Sequence, residues 1–401
     1  MARVLWTGIG PWHRTAYGLL TAEFAYRIRD LGHEVVISVM GRPEKHGEPV
    51  SKDEIEAAQA LGVTWAHPDS RETRRTGLWD QMRVIGPGDK EFGLPPPETV
   101  RDAFGGHDPD IIIVLKDPWV LYPGAYDHWD CPVLVWANID CDPIGQPDLE
   151  YFRQSGTTPV AVSKFGLSTM RKHGLKNARY IPHGVDTSYW TPGSQDEARD
   201  LIGLPRGILI YGINAANIGP RKAWGEQFAA FASEVHRGRK DSLLLCHAVP
   251  THPEGINLRD LARFHGIENS VRFGSNYNMR SAQMRTWYRS LTGLLACTYG
   301  EGFGMPVVEA LSCGIPVIAT DCSALAEKIQ PGCGWLVKGQ KWWHPHFQAE
   351  WTIPNVGQIA AKIGQEAGPV KLIRESAAGY DSDLITTTMW KPLIEEVTDG
   401  R

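Results

Sequence analysis

The chain has 401 residues, 42% hydrophobic and 22% charged, with a formal net charge of −5. That length asks for two cores rather than one, and the composition excludes a disordered or fibrous chain. The mild acidity gives no global attraction to a polyanion.

RVLWTGIG (Arg3–Gly10) reads as a buried strand ending in a glycine turn. Leu19, Leu20, Ala22, Phe24 and Ile28 recur near helical spacing and predict a helix from Arg14 to Leu31, stopped by Gly32. HEVVISVM (His33–Met40) is the next strand, which completes a β-α-β unit with a right-handed crossover. The loop Gly8–Gly18 therefore lies where open α/β sheets hold ligands. Ser51 and Glu54 form a capping box before a short helix. Residues 66–98, rich in Pro, Gly and charge, read as an irregular excursion and a candidate acceptor loop. Arg71, Arg74 and Arg75 give it a local basic cluster suited to an anionic acceptor or a membrane surface.

Strands return as DIIIVLK (Asp110–Lys116), CPVLVWANID (Cys131–Asp140) and PVAVS (Pro159–Ser163). Their unbroken apolar character fits a parallel sheet covered on both faces. Asp117 and Asp140 sit just past strand ends, where an acid either lines a site or caps a turn. YIPHGVDTSYW (Tyr180–Trp190) reads as a linker, with Gly184 permitting a sharp bend.

A second α/β rhythm starts at GILIYGIN (Gly207–Asn214). The loop NIGPRKAW (Asn217–Trp224) sets Arg221 and Lys222 at a helix start. Cations there oppose the helix dipole, so the pair reads as an anion site rather than a solvated face. SLLLCHAV (Ser242–Val249) and SVRFG (Ser270–Gly274) are strands flanking the helix NLRDLARFHG. His247, at a strand end, reads as structural. MRTWYRSL is a helix, and LTGLLACT is the strand that feeds the most informative stretch, GEGFGMPVVEALSCGIPVIAT (Gly300–Thr320).

That stretch reads as loop, helix and strand. Gly302 and Gly304 leave amides uncrowded, Pro306 suits the first helical position, and Gly314 ends the helix. The free amides of a helix N-terminus attract phosphate, and Glu301 and Glu309 offer carboxylates for pairs of sugar hydroxyls. Beyond it the pattern alternates through ALAEKIQ and GWLVKG to a helix near Val356–Gly368. Asp381–Val397 is helical in pattern apart from the β-branched Thr386–Thr388, with Trp390 and Leu393 as apolar anchors.

Glu301 and Glu309, with Gly-Phe-Gly-x-Pro between them and Gly-x-Pro-Val after, resemble the signature of retaining nucleotide-sugar glycosyltransferases of the group 1 (family four) type. The resemblance spans nearly the whole chain and is tighter in the second half. It implies a GT-B fold: two Rossmann-like α/β/α domains facing a central cleft. The expected domains are 1–185 on the acceptor side and 186–380 on the donor side, with a C-terminal helix at 381–401 crossing back onto the first. It also implies a nucleotide diphosphate sugar, linked to uridine or guanosine, as co-substrate, with no cofactor and no metal.

Carried onto this sequence, Glu309 holds the ribose hydroxyls and Glu301 the sugar hydroxyls. Gly302, Phe303, Gly304 and Met305 offer backbone groups. Arg221 and Lys222 stabilise the departing diphosphate. Asn217, Ser275 and Gly10 join the donor contacts, and Asp140 is a further catalytic candidate. The family's usual Arg is replaced by Asn217, its acceptor-side Gly-Gly pair by Ala16-Tyr17-Gly18, and its histidine near the second domain-one acid by Ile139-Asp140. The acceptor is a hydroxyl on a sugar, lipid, metabolite or modified nucleobase of DNA. Alternatives are a nucleotide-sugar epimerase, a sugar phosphorylase, a glycoside hydrolase using the two acids, and a non-catalytic nucleotide-sugar-binding module.

Seven cysteines show no Cys-x-x-Cys pair and no zinc spacing, which suits a reducing compartment. MARVLWTGIG is interrupted too soon for a signal peptide, and no window reaches the ~18 apolar residues of a membrane helix. A cytoplasmic protein, with peripheral membrane contact left open, is the expectation.

Overall fold

Two separate parallel sheets account for the two stretches of strand–helix rhythm. The computed structural model describes residues 1–11, 13, 15–40, 82–85, 94–274, 279 and 281–399. The capping box at Ser51, the arginines 71, 74 and 75, and Ser275–Tyr277 lie outside the described residues. The chain divides into two compact units. One holds Met1–Ile139, Ile144–Gly184 and Asp381–Arg401; the other holds Asp140–Pro143 and Val185–Tyr380.

The first unit carries β1 (Arg3–Gly8), β2 (Glu34–Val39), β3 (Arg83–Ile85), β4 (Ile111–Leu115), β5 (Val133–Ala137), β6 (Thr158–Ala161) and β7 (Arg179–Tyr180). Their order is β3-β2-β1-β4-β5-β6-β7, and every pairing is parallel. β4 is buried along its whole length, as a strand covered on both faces must be. The helix Ala16–Asp30 begins where the Thr15 hydroxyl accepts a bond from the Gly18 amide at 3.2 Å, and Leu20, Phe24 and Ile28 face the core. The expected irregular excursion contains a strand after all: Arg83–Ile85 pairs with β2 and supplies the sheet edge.

The C-terminal stretch belongs to this unit. Trp390 is fully buried, with its ring 5.1 Å from Trp136 and 6.3 Å from Trp6. Arg27 reaches Asp383 at 2.6 Å. Residues Thr386–Trp390 form a π-helical turn between two α-helical pieces. The hydroxyls of Thr386, Thr387 and Thr388 each donate to the carbonyl four residues back, at 2.7, 2.8 and 2.7 Å. Such back-bonding loosens the α ladder, and this run of β-branched residues is where the wider turn occurs.

The second unit carries β8 (Leu209–Asn214), β9 (Ser242–His247), β10 (Val271–Phe273), β11 (Gly293–Ala296), β12 (Val317–Thr320) and β13 (Gly334–Val337), in the parallel order β10-β9-β8-β11-β12-β13. Phe228 and Phe231 of the helix Trp224–His236 pack with Leu244, Leu258 and Ile359 in its core. One element interrupts the parallel strand–helix rhythm. β14 (Gly339–His344) and β15 (Ala349–Pro354) form an antiparallel hairpin between β13 and the helix Val356–Lys362, with Trp342 opposite Trp351. That helix is also shorter than the expected Val356–Gly368. Among the described residues no helix is long and apolar enough to cross a membrane.

Candidate functional site

β8, β11 and β12 are consecutive in the second sheet, so the loops leaving their carboxyl ends are neighbours. Each of those loops runs into a helix through a residue in the left-handed region: Ala223 (φ 49°), Gly304 (φ 88°) and Ser323 (φ 46°). Only Gly304 takes that conformation without steric cost; Ala223 and Ser323 store strain of the kind found at functional sites. Crevices at strand carboxyl ends are where open α/β sheets bind ligands.

Lys222 and Arg221 from the first loop converge on Glu301 from the second. The Lys222 ammonium is ion-paired with Glu301 Oε1, and Arg221 Nη1 lies 3.3 Å from Glu301 Oε2. Arg221 Nη1 also donates to the Gly300 carbonyl at 2.8 Å, and its Nε lies 3.5 Å from Asp140 Oδ2. Ser323 Oγ accepts the Glu301 amide at 2.9 Å. Two cations and two carboxylates thus share one small volume.

Burial pushes the Glu301 carboxyl up, but Lys222 and Arg221 together outweigh it and hold the group below its ordinary range. Burial is the larger influence on Lys222. With Arg221 beside it, its ammonium loses its proton more readily than usual despite Glu301.

Glu309 sits in the helix Met305–Ser312, whose second residue, not its first, is Pro306. It is 7% exposed, and its Oε2 accepts the Tyr288 hydroxyl at 2.6 Å. The backbone of Gly302, Phe303 and Gly304 lies in the loop between the two acids, and Met305 opens the helix. The Phe303 ring is buried against Tyr380, at 5.5 Å, and beneath the Lys328 ammonium, at 4.1 Å.

Other expected residues are placed differently. The Asn217 side chain is engaged with backbone: its Nδ2 donates to Val249 O (3.0 Å) and Ile256 O (2.6 Å), and its Oδ1 accepts from Ile256 N (3.0 Å). It fastens the loop after β9. Gly10 belongs to the first unit, where its carbonyl accepts the His13 amide at 3.0 Å. Ser275 lies outside the described residues. Asp117, also in the first unit, accepts the Tyr17 hydroxyl.

Asp140-Cys141-Asp142 has the Asp-x-Asp spacing of a metal motif. Its first acid is instead turned to Arg221 and to Trp351 Nε1, 3.4 Å from Oδ1. Among the described residues no group of three His, Cys, Asp or Glu side chains could hold a metal ion.

The hairpin braces this corner. Trp342, His344, Phe347 and Trp351 pack together, and Tyr299, one residue before Gly300, lies 6.0 Å from Trp342. Tyr299 in turn donates to Glu226 at 2.7 Å. The signal was present in the sequence as period-two spacing, Trp342 and His344 against Ala349 and Trp351 on either side of Pro345–Gln348.

The fold and this geometry agree with what the chain resembles. A glycosyltransferase from Rickettsia africae superposes with a TM-score of 0.66 at 16% identity, covering 100% of this chain and 99% of that one. The Anabaena protein HepE in complex with UDP-glucose gives 0.69 at 15% identity, covering 98% and 99%. These likenesses establish the GT-B fold. Residues 217–344 match the family described as glycosyl transferases group 1. That match takes in under half of the chain and lies within the second unit.

The matched region takes in Asn217, Arg221, Lys222, Glu301 and Glu309. It is similar to a D-inositol 3-phosphate glycosyltransferase 2 of Catenulispora acidiphila, 32% identical over 39% of this chain and 38% of that protein. A D-inositol 3-phosphate glycosyltransferase of Actinosynnema mirum is 30% identical over 50% of this chain and 45% of its own. The alignments therefore span less than half the length of these relatives.

Proposed function

We propose that this chain is a glycosyltransferase that moves a hexose-type sugar from a UDP- or GDP-linked donor to a hydroxyl acceptor with retention of anomeric configuration. The observation that carries the reading is the convergence of Lys222 and Arg221 on Glu301 at the carboxyl ends of adjacent parallel strands. In the proposed reaction the bond between the anomeric carbon and the diphosphate oxygen breaks. The acceptor oxygen bonds to that carbon on the same face and gives its proton to the departing phosphate. Lys222 and Arg221 stabilise the charge that develops on the leaving group. Glu301 holds them in place and accepts from the sugar hydroxyls through its remaining lone pairs. Glu309 holds the ribose. Asp140 fixes the Arg221 guanidinium rather than acting as a base, since its carboxylate already faces that cation. Gly10 and the loop around it are assigned to substrate contacts in the first unit.

The names of the relatives favour a phosphorylated cyclitol in the acceptor panel, beside sugars, lipids and small metabolites. A thermal-shift screen of UDP- and GDP-sugars identifies the co-substrate, because a ligand of the native state raises Tm. Glu309→Ala and Lys222→Ala each lose transfer while remaining folded. Wild-type rates in both variants would remove this site from the mechanism. Free phosphate as co-substrate points to a phosphorylase instead, and an epimerised donor without acceptor to an epimerase.

A further inference from the structure

Asn214 and His247 are the last residues of β8 and β9 and stand opposite each other in register. His247 Nδ1 lies 2.9 Å from Asn214 Oδ1, Asn214 Nδ2 lies 2.7 Å from the Tyr288 hydroxyl, and that hydroxyl lies 2.6 Å from Glu309 Oε2. The chain of contacts runs from the strand ends, through a fully buried tyrosine of the helix Ser281–Arg289, to a carboxylate that is itself buried.

Its direction follows from the chemistry. An ionised carboxylate only accepts, so Tyr288 donates to Glu309. The phenol oxygen then accepts from the Asn214 amide N–H, and the Asn214 carbonyl accepts a proton held on His247 Nδ1. The reverse direction would need a protonated Glu309. Burial, with Glu309 beside it, raises the Tyr288 phenol well above its ordinary range, so it stays a donor at neutral pH. Three donors in series polarise one another toward the last acceptor.

We infer that Tyr288, backed by Asn214 and His247, is a positioning residue that holds the Glu309 carboxylate in one orientation for a pair of ribose hydroxyls. This rests on the reading of Glu309 as the ribose acceptor. A neutral phenol suits the task better than a lysine or arginine would. It orients the carboxylate without neutralising the charge that makes it a strong acceptor. The helix alone does not fix that orientation, because the outer torsion of a glutamate is broad.

The test is calorimetric binding of UDP and GDP and of their 2′-deoxy counterparts to the wild type, Glu309→Gln and Tyr288→Phe. The wild type should prefer the ribonucleotide of its own base by about tenfold or more, the worth of one hydrogen bond to a charged group. Tyr288→Phe should lose most of that preference, through weaker ribonucleotide binding, with the 2′-deoxy affinity unchanged. Retention of the full preference in Tyr288→Phe would overturn the positioning role while leaving the ribose reading intact. No preference in the wild type would overturn the ribose reading and this inference with it. If Tyr288→Phe does not fold, Asn214→Leu reads the same preference one bond further back. A tyrosine that merely packed would lower Tm without altering the discrimination between the two sugars.

Discussion

Lys222 and Glu301 are 79 positions apart in the chain and ion-paired in the fold. The pair is three-cornered, because Arg221 approaches the other carboxylate oxygen at 3.3 Å. Glu301 therefore sets the spacing of the two cations as well as their net charge.

Glu301→Gln should destabilise the protein by about 3 kcal/mol at pH 7, the low side of what removing one partner of a buried pair costs. The acid side of the pH profile carries the signature. Glu301 is held below its unfolded value, so its contribution is present above that value and lost as pH falls through the folded one. The gap between wild type and variant should be constant above about pH 5 and narrow as pH falls below the ordinary carboxyl range. Urea unfolding from about pH 2 to 7 measures it, and a gap that widens toward acid refutes the account.

Gly300 separates two backbones that a side chain would force apart. A Cβ there would lie 2.3 Å from the Asp140 carbonyl oxygen and 3.2 Å from the Trp351 ring. Gly300→Ala should cost about 1–3 kcal/mol through overpacking and reduce transfer by displacing Asp140 from Arg221. An unchanged Tm would show that this contact yields freely.

Asn217→Ala should cost about 2–3 kcal/mol, since three hydrogen bonds to the 249–256 segment are lost together. The affinity of the folded protein for the proposed nucleotide sugar should stay within about twofold, a difference below ~0.5 kcal/mol. A tenfold weaker affinity at unchanged stability would return Asn217 to the sugar-donor contacts.

Lys328 has no exposed side-chain surface, and its ammonium lies over Phe303 and 3.0 Å from the Ala324 carbonyl. Burial, only partly offset by Glu327, lowers it to about 8. Between that value and the ordinary lysine value the unfolded chain binds the extra proton, so stability attributable to Lys328 rises with pH across this window. Lys328→Met should raise Tm at pH 7, and the advantage should shrink as pH climbs from about 8 to 10. Calorimetry across that range decides it; a constant difference would exclude the buried charge as the cause.

Much of the architecture was legible because the strands are buried on both faces. IIIVL and VLVWA carry no polar alternation, and such runs followed by helix-spaced residues lead to parallel sheets. Strand ends fall up to three residues inside the apolar runs, as at Cys131–Asp140, where only Val133–Ala137 is paired. The hairpin was harder to see, because its tryptophans and histidines are not the aliphatic residues that mark a buried strand. The edge strand Arg83–Ile85 is too short to register as a pattern at all.

The local order of loop, helix and strand around Glu301, and the two-sheet plan, were determined by the sequence alone, since turn chemistry and apolar periodicity act over a few residues. Partnership was decided only by tertiary structure. It matched Glu301 to Lys222, gave Glu309 to Tyr288, and tied Asn217 to the loop after β9. The physical reason is that a buried polar group must find its partner wherever the packed core brings one within hydrogen-bond distance, and that distance is set in space rather than along the chain.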